Sequence, residues 1–469
     1  MLKQIGIENF KAFADFQNID LAPITLIYGA NSSGKSSIIH SLMVLKQSLL
    51  SPNLRGGVYS DKKLLDVGSY SSMVYKHEVN RSISIKLNIL NKITSKFKYS
   101  YVDEHDTNST ETQGFSYLNS VCVNENNYNE DEGLFNYILK NKLKNEDSFI
   151  TKEFALEELD DVIFPPYMEL KKNTFNASKE HILFLADEEL PIPKSPKIDY
   201  GTYIKFIKDT KNKNKNKEMD FHRSYQFMHE KVTRNTETIK KELKKITYLG
   251  PLRSNPKRYY SVDTEFEVSV GKEGENIAYF LNSNRSGLTN SINEWFKKFD
   301  IPYDFKPKTV GTKFSEPLIQ IELEDRRNKV KVSPLDVGFG IGQILPILIE
   351  GVIRKDSIIC VEQPEIHLHP KLQAELAEFF VETCENNQWI IETHSEALML
   401  RIQKLIRSKK IINGKIIKPE DISILYVIPS NKENDSEGAE VVQIRLDDDG
   451  DFIDFWPEGF FEERIREKR

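Results

Sequence analysis

The sequence feature that most constrains the fold is a glycine-rich loop near the N-terminus, placed between an apolar segment and an amphipathic one. Residues 29–36 read Gly-Ala-Asn-Ser-Ser-Gly-Lys-Ser and match G-x-x-x-x-G-K-[ST] at every required position. Residues 24–27 before the loop predict a buried strand, and residues 36–47 after it predict a helix with one apolar face. A strand, loop and helix of this kind form a phosphate-binding unit. We therefore expect an α/β fold that holds a nucleotide.

Each part of the loop has a predicted task in binding a triphosphate and its cation. The glycines let backbone amides approach the phosphates, and the N-terminus of the helix faces their negative charge. Lys35 is expected to reach the β- and γ-phosphates, and the Ser36 hydroxyl to coordinate Mg²⁺. ATP and Mg²⁺ are therefore the predicted ligands. The predicted nucleotide-binding residues are Gly29, Asn31, Ser32, Ser33, Gly34, Lys35, Ser36 and Ser37.

Composition argues against several other classes of protein. The formal net charge of the 469 residues is −6, so any nucleic-acid site would have to be a local basic patch. Cys122, Cys360 and Cys384 lack the spacing of metal ligands and predict a reducing, cytoplasmic environment without disulfides. No stretch approaches about 18 uncharged apolar residues, so neither a membrane span nor a membrane partner is expected.

Pattern and composition divide the chain into three parts. Residues 1–100 predict an α/β lobe that contains the phosphate-binding loop. Residues 101–245 are rich in Asn, Lys, Glu and Asp and have weaker periodicity, so we expect a largely helical, low-complexity insertion there. Residues 246–469 predict a second lobe, with short apolar runs at 357–361 and 389–391 that are typical of central parallel strands.

Two polar residues follow these apolar runs at the predicted carboxyl ends of neighbouring strands. Glu362 ends the first run, at the edge of an open α/β sheet where ligands bind. A carboxylate there suits Mg²⁺ with its water shell, so Glu362 is predicted to share the metal with Ser36. His394 follows the second run and can hydrogen-bond a γ-phosphate or an attacking water.

Together these segments resemble the ABC-type ATPase heads of the SMC, RecF and OLD (overcoming lysogenization defect) group. The chain is similar in particular to standalone bacterial ATPases labelled AAA in anti-phage defence operons, such as the Septu- or PARIS-like ATPase subunits. The resemblance covers both lobes and implies a head with a phosphate-loop sheet and an antiparallel β lobe. The matching segments are residues 7–13, 29–36, 250–253, 336–340, 362–370 and 392–395.

The resemblance implies that two copies join head to head, or form a higher oligomer, with nucleotides between them. Each phosphate-binding loop would face a signature segment of the other copy. A serine is usual in that segment, but this chain has glycines, so backbone contacts would have to suffice. Arg253 and Arg258 lie in or near a matching segment and fit either a phosphate contact or a salt bridge between lobes. By position, the signature residues are Gly338, Gly340, Gly342 and Gln343.

The residue after the predicted metal carboxylate is Gln363, where many heads of this type carry a general-base glutamate. A neutral amide can position water but cannot accept its proton. We therefore expect slow ATP hydrolysis, together with a long-lived ATP-bound dimer. Glu365 and His394 are the alternative candidates for the base, so the predicted catalytic set is Glu362, Gln363, Glu365 and His394.

Three functions are compatible with this pattern. The first is a nucleotide-dependent regulatory subunit of an anti-phage system, which controls a separately encoded effector, a nuclease, and responds to a phage protein or DNA. The second is a DNA-repair ATPase of the RecF or SMC type, for which residues 240–245 offer a local basic patch. The third, an OLD-type nuclease, needs a further domain with a glutamate and a spaced Asp-x-Asp. It is disfavoured because only about 75 residues follow His394, and Glu437 and the run 447–449 lie too close together to be the two halves of that site.

Overall fold

The computed structural model describes most of the two predicted lobes and parts of the region between them. Within the described residues, sheets of nine, six, four and two strands pack with eight α-helices. No helix among them is long and apolar enough to cross a membrane. The described residues are 1–51, 57–61, 64–104, 113–125, 137–141, 153–158, 182–186, 193–198, 215–262, 269–283, 285–311, 317–412, 415–430 and 437–457.

The strands and helices are numbered in chain order. The strands are β1 (Leu2–Glu8), β2 (Gln17–Asp20), β3 (Ile24–Gly29), β4 (Ile83–Ile89), β5 (Ile93–Glu104), β6 (Gln113–Glu125), β7 (Tyr137–Asn141), β8 (Glu153–Glu158), β9 (Ile182–Ala186), β10 (Pro193–Ile198), β11 (Ile246–Leu249), β12 (Tyr259–Ser261), β13 (Tyr303–Val310), β14 (Leu318–Asp325), β15 (Lys331–Val332), β16 (Ser357–Glu362), β17 (Asn387–Glu392), β18 (Ile411–Ile412), β19 (Lys415–Ile416), β20 (Ile422–Ile428) and β21 (Glu440–Ile444). The helices are α1 (Lys35–Leu50), α2 (Tyr70–Met73), α3 (Lys215–Lys244), α4 (Ile277–Ser283), α5 (Arg285–Lys298), α6 (Phe339–Ile353), α7 (Pro370–Thr383) and α8 (Glu396–Ser408).

The central sheet carries the predicted site and has the strand order β11-β16-β17-β3-β20-β21. All neighbouring strands in it are parallel except β21, which runs antiparallel to β20. Every residue of β3, β16 and β17 is buried, because both faces of the sheet are covered. This double burial explains why these strands read as continuous apolar runs in the sequence.

The two faces of the central sheet belong to two separate hydrophobic cores. Ile27, Cys360 and Ile390 point to one face and pack with α1 and the antiparallel sheet. Leu26 and Trp389 point to the opposite face and pack with the C-terminal helices. The helix α1 is thereby held between two sheets, and its N-terminus lies at the carboxyl ends of the central strands.

An antiparallel sheet of nine strands forms the other layer, in the order β10-β9-β8-β7-β6-β5-β4-β1-β2. Alternate residues of its inner strands, such as Ile5, Ile7, Ile83 and Ile85, are fully buried. This is the pattern of a sheet with one face on the core. The predicted α/β class with an antiparallel β lobe is therefore confirmed.

The prediction of a largely helical insertion at residues 101–245 is wrong for the described residues up to 198. These residues form strands that extend the antiparallel sheet, and the predicted boundary at residue 100 falls inside β5. In β6, Val121 and Val123 are buried, while Cys122 and Asn124, which alternate with them, are not. Because polar residues alternate with apolar ones on such a strand, the sequence has no continuous apolar run, and the strand was hard to recognise. In the described part of this region, only α3 is helical.

The helix α3 packs on the antiparallel sheet and ends just before β11. Its predicted basic patch at residues 240–245 is wrong for Lys240 and Lys245. Lys240 is buried and lies 3.4 Å from Glu237, whereas Lys245 forms ion pairs with Glu242 and Asp356. These lysines serve intramolecular ion pairs and are not available as a free cationic surface.

A smaller antiparallel sheet is formed by β12, β13, β14 and β15, and it packs with α4 and α5. Within this sheet β14 pairs antiparallel with β15. The segment from this sheet leads through a 3-10 turn at Pro334–Asp336 into α6.

The packing of α3 on β6 depends on a buried ion pair, which can be tested by mutation. Lys231 Nζ lies 2.8 Å from Glu125 Oε2, with 6% of each side chain exposed, and Asn235 donates to the other carboxylate oxygen. Lys231→Met should lower the free energy of unfolding by about 3–5 kcal/mol, because it removes the cation that forms an ion pair with a buried carboxylate. The double variant Lys231→Met/Glu125→Gln should recover much of this loss, as measured by urea unfolding. A single variant as stable as the wild type would contradict this packing.

Candidate nucleotide-binding site

The glycine-rich loop has a backbone conformation that requires its glycines. It connects the end of β3 to the first residue of α1, as the sequence predicted. Gly29 has φ of 148°, and a Cβ there would lie 2.6 Å from the carbonyl oxygen of Val427. Gly34 has φ of 103°, and a Cβ there would lie 2.5 Å from the Cβ of Ala12. Both positions combine left-handed backbone with lack of space, so neither tolerates a side chain.

Lys35 folds over the loop and is almost completely buried, with 4% of the residue exposed. Its ammonium donates hydrogen bonds to the carbonyl oxygens of Gly29 and Ala30, at 3.1 and 2.7 Å. Burial lowers the pKa of Lys35, against the opposing effect of two nearby glutamates, Glu392 and Glu365. The loop therefore encloses a cationic group at its centre.

The remaining predicted loop residues divide into an exposed apex and a buried base. Asn31 and Ser32 are exposed, and Ser32 has a positive φ of 61°. Ser37 is buried at the start of α1. Ser33 is also buried, and its hydroxyl has no hydrogen-bond partner among the described residues. An unpaired buried hydroxyl in the same loop as a buried ammonium suits a phosphate oxygen, which would satisfy both.

Glu362 ends β16 and is held from two sides. Its Oε1 accepts a hydrogen bond from the Tyr248 hydroxyl at 3.0 Å and lies 3.0 Å from His40 Nε2. The other ring nitrogen of His40 lies 2.7 Å from Lys11 Nζ. Burial lowers the pKa of Lys11 and raises that of Tyr248. The predicted metal carboxylate is thus fixed by α1 and β11.

A second carboxylate, Glu392, lies beside Glu362 and was not among the predicted site residues. The two glutamates are paired in register at the ends of β16 and β17, and both are buried. Burial and the charge of Glu362 raise the pKa of Glu392 to about 7, although a hydrogen bond from Ser36 opposes this. The other oxygen, Oε2, is buried and has no hydrogen-bond partner among the described residues. Its position after the apolar run 389–391, equivalent to that of Glu362, was the available sequence signal.

Gln363 lies in a strained loop that is tied to its neighbours through the backbone. Its φ is 45°, and its amide nitrogen donates to the carbonyl oxygen of Glu392 at 2.7 Å. The buried guanidinium of Arg253 donates to the carbonyl oxygens of Glu362 and Gln363, at 2.7 and 3.1 Å. Burial lowers the pKa of Arg253 to about 10. Arg253 therefore fixes the backbone beside the site. Its contacts with Glu362 and Gln363 are hydrogen bonds to carbonyl oxygens and are not salt bridges.

Glu365 and His394 connect this loop to the end of β17. The two oxygens of Glu365 accept hydrogen bonds from the Thr393 hydroxyl and the His394 amide, at 2.8 and 2.7 Å. Burial raises the pKa of Glu365, whereas burial and Lys35 lower the pKa of His394. His394 is half-buried and favours its neutral form, in which the ring can both donate and accept.

The predicted signature residues have different surroundings. Gly338 is exposed with φ of 82° and directly precedes α6, and a Cβ there would meet nothing within 4 Å. Gly342 packs so closely on Pro256 that a Cβ would lie 2.4 Å from its Cγ. Gln343 is buried, with its amide 3.5 Å from the carbonyl oxygen of Arg253. Gly342 and Gln343 are therefore explained by packing within the chain, and Gly338 by the helix start.

Gly340 places the start of α6 next to the loop after Glu362. A Cβ at Gly340 would lie 3.3 Å from the carbonyl oxygen of His367. Leu335, in the turn before the helix, is 46% exposed, and Leu252 on the adjacent segment is 74% exposed. The surface around the site thus combines an exposed helix N-terminus with exposed apolar side chains.

The donor groups at the site fit a magnesium–nucleotide complex. Mg²⁺ is usually held by one or two carboxylates, a hydroxyl and the phosphates of the substrate, and it keeps several waters. Ser36, Glu362 and Glu392 supply oxygen donors of this kind at the same edge of the sheet. The unpaired oxygen of Glu392 and the unpaired hydroxyl of Ser33 are the groups that a bound complex would satisfy.

Comparison with solved structures gives 162 matching chains. One is an SMC head bound to the C-winged helix domain of ScpA, with 13% identity, a TM-score of 0.40, and 95% of this chain and 98% of that chain covered. The SMC head domain from Thermotoga maritima has 10% identity, a TM-score of 0.37, and coverage of 95% and 99%. An SMC head with an extended coiled coil, bound to a C-terminal domain of ScpA derived from Pyrococcus furiosus, has 13% identity, a TM-score of 0.40, and coverage of 95% and 96%. Similarity at this level carries no information about function or partners.

Comparison with protein families gives two matches. A family described as "AAA ATPase domain" matches residues 1–399, which contain the phosphate-binding loop, Glu362 and Glu392. A family described as "Protein of unknown function (DUF3696)" matches residues 417–469. No curated protein matches the chain. Because the first model spans most of its length, the chain belongs to the AAA ATPase domain family.

Proposed function

We propose that this AAA ATPase domain protein binds ATP with Mg²⁺, joins a second copy head to head in that state, and hydrolyses the nucleotide slowly. In this proposal the ATP-bound dimer is the sensor and regulatory subunit of a bacterial anti-phage defence system. It controls a separately encoded effector, a nuclease. The observation that carries the proposal is a complete phosphate-binding loop in a chain that has Gln363 where a catalytic glutamate is expected.

Slow hydrolysis follows from the groups around Gln363. Its amide cannot take a proton from water. Glu365 already accepts two hydrogen bonds that anchor the loop to β17, which favours a structural task over proton transfer. His394 remains a candidate base because its lowered pKa keeps the ring neutral. A site that binds ATP well and cleaves it slowly holds the bound conformation for a long time, as a switch requires.

Joining of two copies is supported by the surface next to the site. The exposed N-terminus of α6 can present backbone donors to a phosphate held by the other copy. Leu252 and Leu335 are exposed apolar side chains near this helix start, and a second copy would cover them. The nucleotide then adds charge-assisted contacts across an apolar interface, which makes association depend on ATP.

The defence role rests on the sequence resemblance, because a fold by itself does not define a biological task. DNA repair is the alternative and needs a DNA-binding surface. The ion pairs of Lys240 and Lys245 reduce the basic patch at residues 240–245 to two exposed lysines, Lys241 and Lys244. We therefore favour control of an effector protein, with a phage protein or DNA as the trigger.

Restoring a carboxylate next to Glu362 should convert the slow enzyme into a faster one. We expect wild-type turnover well below the enzyme median of about 10 s⁻¹. Gln363→Glu should raise it by about 100-fold, because a positioned general base contributes about 10²–10⁴-fold. Phosphate release measured under saturating ATP tests this. Gln363→Met, which has similar size and no proton acceptor, is the control and should not accelerate; rapid turnover of the wild type would contradict the proposal.

The biological role predicts a phenotype in infected cells. Bacteria that carry this gene with its neighbouring genes should resist phage, and Lys35→Ala should abolish resistance because the loop loses its central cation. Lys3→Ala, which changes an exposed lysine outside the site, is the matched control. Plaque counts on the three strains give the result. If phage grow equally on all strains while Lys35→Ala alone sensitises cells to DNA damage, the repair alternative replaces the defence role.

A further inference from the structure

Residues 450–456 present two large apolar side chains to solvent. Phe455 is 92% exposed, more than any other large apolar side chain among the described residues, and Ile453 is 54% exposed. Leu400 on α8 is 47% exposed. A single exposed apolar residue is ordinary, but several on one surface mark a place where another molecule binds.

The beginning of this segment is fixed against α8. Gly450 has φ of 77°, and a Cβ there would lie 2.7 Å from the carbonyl oxygen of Gln403. The side chain of Gln403 donates a hydrogen bond to the carbonyl oxygen of Gly450 at 2.8 Å. Arg407, one turn later on the helix, forms an ion pair with Asp451. The segment is therefore held by contacts on both its backbone and its side chains.

The end of the segment is anchored by Trp456, which is 8% exposed. Its ring packs edge-on against Tyr28 and Tyr426, with centroids 5.6 and 5.8 Å apart. The Tyr28 hydroxyl donates to the carbonyl oxygen of Ser395, the residue before α8, at 3.1 Å. The segment thus runs beside α8, and its end lies near the N-terminus of that helix.

The three exposed apolar side chains therefore share one surface. Leu400 is seven residues before Arg407, which places both on the same side of α8. Arg407 contacts Asp451, so this side of the helix is the one that faces the segment. We call the surface formed by Leu400, Ile453 and Phe455 the C-terminal patch.

The border of the C-terminal patch carries an excess of negative charge. Residues 447–449 are three exposed aspartates in the turn that precedes it. Asp451 and Asp454 lie within the segment and form ion pairs with Arg407 and Arg445. The exposed Lys404 on α8 adds one more positive charge, so the aspartates still outnumber the basic side chains.

An acidic border around apolar side chains restricts what can bind. Nucleic acids and anionic lipid surfaces carry negative charge and would be repelled. A second copy of this chain has a formal net charge of −6 and would on average meet like charge with like. A protein with an apolar pocket bordered by Lys or Arg matches both properties of the patch.

We propose that the C-terminal patch is the docking surface for the separately encoded effector, which presents an apolar pocket bordered by Lys or Arg. Phe455 is the anchor that enters this pocket, and Ile453 and Leu400 flank it. The inference rests on the effector control proposed above and names the surface through which it acts. Ile453 and Phe455 lie within residues 417–469, the part matched by the family of unknown function.

The position of the patch suits control by nucleotide. Trp456, the neighbour of Phe455, packs on Tyr28, and Tyr28 directly precedes Gly29 of the phosphate-binding loop. Tyr28 also holds Ser395, which follows His394 in the chain. A contiguous series of contacts therefore joins a docked effector to the candidate nucleotide site.

The test measures binding of the proteins encoded by the neighbouring genes, each purified and titrated against immobilised full-length protein with ATP and Mg²⁺. One of them should bind the wild type with a Kd in the micromolar range or below. Phe455→Asp should weaken this binding by at least about 30-fold, because it removes a central aromatic anchor. Phe455→Asp should also unfold at the same urea concentration as the wild type, because Phe455 is 92% exposed.

Leu90→Asp is the matched control, because Leu90 is an exposed apolar residue, at 45%, outside the patch. It should bind the neighbour-encoded protein as the wild type does. The double variant Asp448→Lys/Asp449→Lys tests the charge of the border. It should slow association and reduce the dependence of the association rate on salt, because the attraction to a basic pocket border is lost.

Three results would overturn the inference and differ from one another. If Phe455→Asp binds the neighbour-encoded protein as tightly as the wild type, the effector docks elsewhere and the proposed function stands. If no neighbour-encoded protein binds the wild type, with ATP or ADP, effector control fails together with this inference. If Phe455→Asp changes the mass of the protein alone and leaves effector binding intact, the patch serves contact between copies of this chain.

Discussion

The structure depends on the gathering of buried charge at one edge of the central sheet. Glu362, Glu365 and Glu392 surround the site that holds Lys35, and burial shifts the pKa of Lys35, Glu365 and Glu392 toward the neutral forms. The backbone around this cluster is fixed, because Arg253 donates hydrogen bonds to two carbonyl oxygens and the glycines of the loop allow its close packing. A fixed backbone holds the buried charges in place. An anion for Lys35 and a cation for the glutamates would each relieve it, which is why a magnesium–nucleotide complex fits.

Local sequence was sufficient for those parts of the fold whose signal lies within one segment. The buried strands β3, β16 and β17 and the helix α1 were predictable because burial on both faces leaves continuous apolar runs. The strand β6 was not, because exposed or partly exposed residues alternate with its buried ones and their pattern resembles that of a solvated segment. The strands that could be predicted are therefore those of the central sheet, whose two faces are both covered.

A site residue was predictable where its role depends on its own segment of the sequence. It was not predictable where its role depends on a segment far away in the chain. Gly29, Gly34 and Lys35 belong to one loop with one geometry. Glu392 follows an apolar run as Glu362 does, but its place beside Glu362 depends on the pairing of β16 with β17, which no local pattern gives. In the same way, Gly342 is required by Pro256, a residue far away in the chain.

The same sheet connects the middle of the chain to the candidate site. The helix α3 is followed at once by β11, whose Tyr248 donates to Glu362, so one short strand joins α3 to the site. The central claim is that ATP holds two copies together. Mass photometry of the purified wild type with Mg²⁺ and ATP, then with ADP, tests it most directly. The proposed switch predicts twice the monomer mass with ATP and the monomer mass with ADP. An identical mass distribution with both nucleotides would contradict it.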